Sequence, residues 1–308
     1  MVQHDRRSKL LMPINRKIMG VAKGGVSKKA IFGFGRSSVY TSVTNLVSNT
    51  GVVSSDTTGV GTARIGLAAA SYGTDKAIFG FGRRSSGNDS NVTNLVSNIG
   101  VVSGDNATVG LARNSLAAAS YGTDKAIFGY GNRSFTNLVN NAGIIASDVM
   151  TAGSRSGLAA ASYGTDKAIF GYGGSYLSVT NLVSNTGVVS SDTTGVGTAR
   201  SSLAASSYGV DKAIFGYGQP SSLTEVSITN LVSNSGVVST DTTGVGTARY
   251  SLAASSYGVD KAIFGYGAGF SSGYLSMTNL VSNIGVVSTD TTGVGTARLG
   301  LAASSYGS

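Results

Sequence analysis

Catalysis and metal binding draw on a short list of side chains, and this chain is poor in them. Its one histidine is His4 and its one glutamate is Glu225, with no cysteine and no tryptophan. A histidine-based triad, a histidine metal cluster or a paired-glutamate site cannot be assembled from that stock. The lack of cysteine also excludes disulfides and thiolate metal sites. The remaining acidic residues are aspartates, most of them in two recurring series. Asp75, Asp124, Asp166, Asp211 and Asp260 each precede a lysine in a tight turn, where bonding to nearby backbone is role enough. No dense acidic cluster accompanies them, so a calcium ring is not expected. Asp56, Asp105, Asp148, Asp192, Asp241 and Asp290 recur one-to-one with Arg64, Arg113, Arg155, Arg200, Arg249 and Arg298. These arginines could ring a channel mouth and grip an anionic glycan or phosphate. Arg–Asp pairs pinning the crossings between units explain the one-to-one recurrence better, so a structural role is expected. The pattern predicts no enzyme, no cofactor and no metal.

The elements that carry these residues are copies of one unit. Lys-Ala-Ile-Phe-Gly-(Phe/Tyr)-Gly begins at Lys29, Lys76, Lys125, Lys167, Lys212 and Lys261, at spacings of 47, 49, 42, 45 and 49 residues. Thr-Asn-Leu-Val begins at Thr44, Thr93, Thr136, Thr180, Thr229 and Thr278. Each unit predicts four short strands, in one copy 67–72, 76–81, 93–97 and 101–105, separated by Gly73-Thr74-Asp75, a loop and Asn98-Ile99-Gly100. Asn45, Asn49 and their equivalents are expected to cap strand ends and turns. Helical periodicity is absent. Four strands per unit, repeated six times, predict an all-β six-bladed β-propeller over 29–308. The small residues of Leu-Ala-Ala suit an inner strand crowded around an axis. The first unit begins on its second strand, and 301–306 is an orphan first strand. Pairing the two would close the ring and remove exposed edges.

Glycine supplies 45 of the 308 residues, yet 41% are hydrophobic and only 12% charged, a balance that builds a core rather than a disordered chain. No apolar run is long enough to span a bilayer, so membrane insertion is not expected. The net charge of +9 is concentrated in residues 1–28. There Arg6, Arg7 and Arg16 interleave with Leu10, Leu11, Met12, Ile14 and Ile18, and Pro13 interrupts any long helix. The mixture predicts a basic arm that orders as it docks on a partner. Nucleic acid ranks behind protein as that partner.

Outside one loop, the units barely differ in length. All other variation in length falls in 36–43, 83–92, 132–135, 174–179, 219–228 and 268–277. These loops carry Arg36, Tyr40, Arg83, Arg84, Arg133, Phe135, Tyr176, Phe270 and Tyr274 among serine, glycine and asparagine. Rigid aromatics among small polar residues suit a binding surface. Relaxed constraint is the competing explanation.

The run from Arg113 to Gly131, RNSLAAASYGTDKAIFGYG, resembles a kelch blade: an arginine, a small-residue strand, a tight turn, then an aromatic strand ending in glycines. Gly-Tyr-Gly stands in place of the kelch Gly-Gly, and the fourth-strand tryptophan is missing. Over 29–308, phrases such as DKAIFGYG and TNLVSNTGVVSSDTTGVGTAR resemble repeats in structural proteins of tailed bacteriophages, especially marine and cyanobacterial ones. That resemblance implies a non-enzymatic virion component made in the host cytoplasm. Its arm would attach to other virion proteins, and its loops would contact a host-surface glycan or another virion subunit. The alternatives are a soluble kelch-like interaction scaffold and, behind it, a glycan-processing enzyme that uses aspartates.

Overall fold

The computed structural model describes residues 27–307, so the arm residues Arg6 to Ile18 lie outside the described residues. Among the described residues all regular elements are β-strands. Six principal antiparallel sheets share one plan of inner, middle and outer strand. In one of them these are Ala68–Tyr72, Lys76–Gly80 and Val92–Val96, with Ile78 between Ala70 and Leu95. The middle strand is Lys-Ala-Ile-Phe-Gly in every copy, and its last four residues are buried because both faces of the sheet are covered. Inner strands alternate buried and half-buried residues, as period-two side chains with one crowded face require.

Termini meet in one sheet. Ala302–Tyr306 pairs along Lys29–Gly33 from Lys29↔Tyr306 to Gly33↔Ala302, and Thr44–Val47 completes the sheet. Each inner strand also packs beside the next. Ala68–Tyr72 adjoins Leu116–Tyr121, followed by Ala159–Tyr163, Ala204–Tyr208, Ala253–Tyr257 and Ala302–Tyr306, which adjoins Ala68–Tyr72 again.

Three further sets of contacts repeat this order. At one end of the inner strands, backbone N–H groups of Gly66, Gly300, Ser251, Ser202, Gly157 and Ser115 each donate to the carbonyl of the next, and Ser115 returns to Gly66, at 2.7–2.9 Å. At the other end, Gly73, Gly122, Gly164, Gly209 and Gly307 donate to the carbonyls of Asp124, Asp166, Asp211, Asp260 and Asp75; Gly258 donates to Lys28. Between sheets, a phenylalanine of one seats on a glycine of its neighbour. A Cβ on Gly33, Gly80, Gly129, Gly171, Gly216 or Gly265 would fall 2.6–2.8 Å from a ring carbon of Phe79, Phe128, Phe170, Phe215, Phe264 or Phe32, respectively. The aromatic of each Gly-x-Gly sits at positive φ, from 62° to 68°, as Phe34, Phe81, Tyr130, Tyr172, Tyr217 and Tyr266. Such backbone costs about 1–3 kcal/mol where it occurs. It turns the ring onto that same phenylalanine, at 5.1–5.3 Å between centroids.

The expected fourth strand is mostly absent. Among the described residues fourth strands occur only as Asn106–Ala107 and Val149–Arg155; 101–105 is joined by the single bridge Val96↔Val102. One ladder bond survives there, from Ser103 N–H to Leu95 O at 2.8 Å, and side chains replace the rest. Leu95 N–H donates to the Ser103 hydroxyl at 2.9 Å, while the Ser103 carbonyl turns aside to accept from Asn94 Nδ2 at 3.0 Å. The four-residue loop 132–135 also differs from expectation. It is so short that middle and outer strands form a direct hairpin, and Arg133 and Phe135 fall within the strand Arg133–Val139.

Candidate functional site

The six arginines lie inside the frame, away from any surface ligand. Arg64, Arg113, Arg200, Arg249 and Arg298 are fully buried and Arg155 nearly so. Each belongs to the segment crossing from one sheet to the next and touches both. The Arg298 carbonyl accepts from Gly267 of the sheet being left, and its guanidinium stacks 4.3 Å over the ring of Tyr266 there. Its Nη2 donates to Asn45 Oδ1 at 2.7 Å in the sheet being entered, and Nη1 stands 3.9 Å from Asp56. Asn45 Nδ2 donates in turn to Ser54 O and to Asp56 Oδ1. Thr296, two residues before the arginine, gives Asp56 both its N–H and its hydroxyl. Arg64, Asn94, Asp105 and Thr62 repeat the arrangement, as do Arg200, Asn230, Asp241 and Thr198.

Arginine and aspartate are thus close, at 3.5–3.9 Å where paired, but a buried asparagine holds them together. Asn45 is this hub rather than a strand cap, and the reason is burial: at 0% exposure its amide must find every partner within the protein. Burial pushes the Arg64 and Arg113 guanidinium groups down to about 10, so both stay charged at neutral pH. For Asp56, Asp105, Asp241 and Asp290 burial pushes the carboxyl up. Hydrogen bonds from threonine and asparagine, with the arginine, outweigh it and hold each below the usual range. The folded state therefore takes up these protons less readily than the unfolded chain, whose aspartates titrate near pH ~3.9. Their stabilisation is complete above that pH and is lost as pH falls through the folded values. The urea midpoint is expected to be flat from about pH 7 to 5 and to fall steeply below about pH 4; a series of urea curves checks this.

The variable loops stand at the end of the sheets where the crossing segments arrive. Their backbones pair with those segments: Arg36 with Leu299, Gln219 with Ser201, Ala268 with Tyr250, and Arg83–Arg84 with Arg64–Ile65. The Asp–Lys turns are at the opposite end. Rigid attachment at the base leaves the loop tips free to differ.

The nine loop residues singled out in the sequence fall into separate groups. The Arg36 guanidinium lies 5.9 Å over the Tyr40 ring, with Arg36 exposed and Tyr40 half-buried. Arg83 is exposed and its Nε donates to Gly87 O at 2.9 Å. Arg84 pairs across the ladder from the buried Arg64, and Arg133 from Arg155. Like charges opposite each other cost stability, so scaffold needs alone do not account for these two arginines. Phe135 and Tyr176 are half-buried. Phe270 and Tyr274 are the most open of the aromatics, at 44% and 38% exposure.

Two partners of Phe270 were not visible in the sequence. Its ring stacks on Tyr250 at 5.1 Å and 28°, and its N–H donates to Glu225 Oε1 at 3.1 Å. Tyr250 belongs to the crossing segment and Glu225 to the neighbouring loop, so together they make a small aromatic platform with one carboxylate beside it. The only available signal was that Tyr250 is the one aromatic at the position after a framework arginine. Among the described residues no three histidine, cysteine or acidic side chains converge as metal ligands would. Neither a family model nor a curated protein matches the chain.

Proposed function

We propose that this protein is a six-bladed β-propeller serving as a non-enzymatic structural component of a tailed-phage virion. Its basic N-terminal arm attaches it to a neighbouring virion protein, and its loop face recognises a host-surface glycan or a further virion subunit. The propeller reading draws support from the order of inner-strand contacts, from the two cyclic sets of backbone hydrogen bonds and from the Lys29–Gly33/Ala302–Tyr306 pairing. The observation that carries the functional reading is the contrast between frame and loops. Buried clamps repeat almost residue for residue, whereas the variation in length is concentrated at one end, where Phe270 and Tyr274 are exposed and Tyr250 stacks on Phe270. Aromatic faces beside a carboxylate and arginines suit the apolar faces and hydroxyls of sugars, or a polar protein surface.

The virion reading rests on the repeat phrases and the arm. The test is incorporation together with binding. A chain lacking residues 1–28 is expected to fold yet be missing from purified particles. The full chain with Phe270→Ala and Tyr274→Ala is expected to be incorporated and to lose glycan-array signal about tenfold or more, as loss of aromatic anchors predicts. Normal incorporation without the arm, or unchanged binding without the aromatics, contradicts the corresponding half of the proposal.

A further inference from the structure

At the end opposite the loops, the inner strands surround a cavity of about 140 Å³. Every sheet contributes one serine to it: Ser71, Ser120, Ser162, Ser207, Ser256 and Ser305. The six are chemically alike but not alike in bonding. Ser71 and Ser120 hydroxyls bond each other at 2.7 Å, and the Ser162 hydroxyl donates to Ser120 O at 2.9 Å. Among the described residues Ser207, Ser256 and Ser305 take part in hydrogen bonds only through their backbones, accepting from the hydroxyls of Ser206, Ser255 and Ser304. Ser305 is 95% buried, at 5% exposure, and its hydroxyl still lines the cavity without a partner among the described residues.

Charge breaks the symmetry on that same side. Five sheets have an aspartate before the lysine of the turn, and Asp75, Asp124, Asp211 and Asp260 pair with that lysine at 2.8–3.1 Å. In the sixth, Lys28 takes the aspartate's place. Its backbone is fixed by two hydrogen bonds with Gly258, at 2.8 Å each. Its half-buried side chain lines the cavity with no carboxylate within salt-bridge distance among the described residues. Among the described residues, one uncompensated cation and three free hydroxyls thus share one half of the mouth.

We propose that Lys28, Ser207, Ser256 and Ser305 form a binding site for a tetrahedral oxyanion, phosphate being the type, in the channel mouth remote from the loops. The ammonium supplies the charge, and the hydroxyls donate to the oxygens. No bond is made or broken. Burial pushes the Lys28 ammonium below its usual range, and a bound anion offsets that desolvation. The site does not depend on the virion reading.

Calorimetric titration of the full chain with inorganic phosphate tests it, with glucose 1-phosphate in a second arm to ask whether the anion can be carried on a larger group. Saturable binding of either probe is expected, weakened about tenfold or more in Lys28→Met and in Ser256→Ala. Ser71→Ala, on the satisfied side, is expected to bind as the parent does. Thermal melts confirm that each variant is folded. No saturable heat with either probe, or equal affinity in a folded Lys28→Met, overturns the proposal.

Discussion

Removal of the last seven residues, 302–308, is expected to abolish cooperative unfolding and leave an aggregating chain. Ala302–Tyr306 is the inner strand of the sheet that begins at Lys29, and five residue pairs disappear with it. Ladder hydrogen bonds at about 1 kcal/mol each come to roughly 5 kcal/mol, against a total stability of about 5–15 kcal/mol for a folded domain. Burial is lost as well. Tyr306, 2% exposed, packs with Ile31, Phe34 and Phe79, and its hydroxyl end lies against Gly100 of the next sheet. The edge of Lys29–Gly33 would then be unpaired and face solvent, which invites pairing between chains. Thermal denaturation followed by circular dichroism, with sedimentation of the product, reads the outcome. A soluble truncated chain with an unshifted transition would show that the last strand is dispensable.

Arg298→Met is the point substitution with the largest expected cost. Methionine keeps much of the volume over the Tyr266 ring but removes the donors to Phe34 O, Thr296 O and Asn45 Oδ1. Asn45 is left buried with its carbonyl oxygen unpaired, and Asp56 loses its nearby cation. Breaking a buried charged network from one side costs about 3–5 kcal/mol. Arg298→Lys retains charge without the planar fork, so it cannot reach all three acceptors and is expected to fall between parent and methionine variant. Urea denaturation of the three proteins at pH 7 gives the order. Equal midpoints would mean that the clamp is not a source of stability.

Much of the architecture was legible because the repeats print it. A repeat region whose first unit starts on Lys-Ala-Ile-Phe-Gly and whose last strand is an unused Leu-Ala-Ala-Ser-Ser-Tyr announces how the two pair, and they do pair. The clamp was legible only as far as its charges. Recurrence matched the arginines and aspartates as two series, but not Arg298 with Asp56 across the crossing, nor the asparagine between them, because Thr-Asn-Leu-Val reads locally as a strand with a polar residue to spare. Its invariance in six buried strands was the available signal. The fourth strand was misjudged for a related reason: Val-Val-Ser has strand propensity, and nothing local shows that the serine hydroxyl will stand in for a ladder carbonyl. Tyr250 meets Phe270 because the loop doubles back on the crossing segment, and Lys28 shares a cavity with Ser305 because the last strand pairs with the first. Sequence spacing carries no trace of either.

The proposed closed ring is tested most directly by an engineered disulfide, which a cysteine-free chain makes unambiguous. Ala30 and Ser305 are direct cross-strand partners, so Ala30→Cys with Ser305→Cys places two thiols opposite each other although the rest of the chain separates them. Oxidation is expected to give a monomer that migrates faster on a non-reducing gel, returns to normal mobility with reductant, and resists urea better than its reduced form. Failure to form the bond in the folded protein, or formation of disulfide-linked dimers only, would contradict a ring closed by its own last strand.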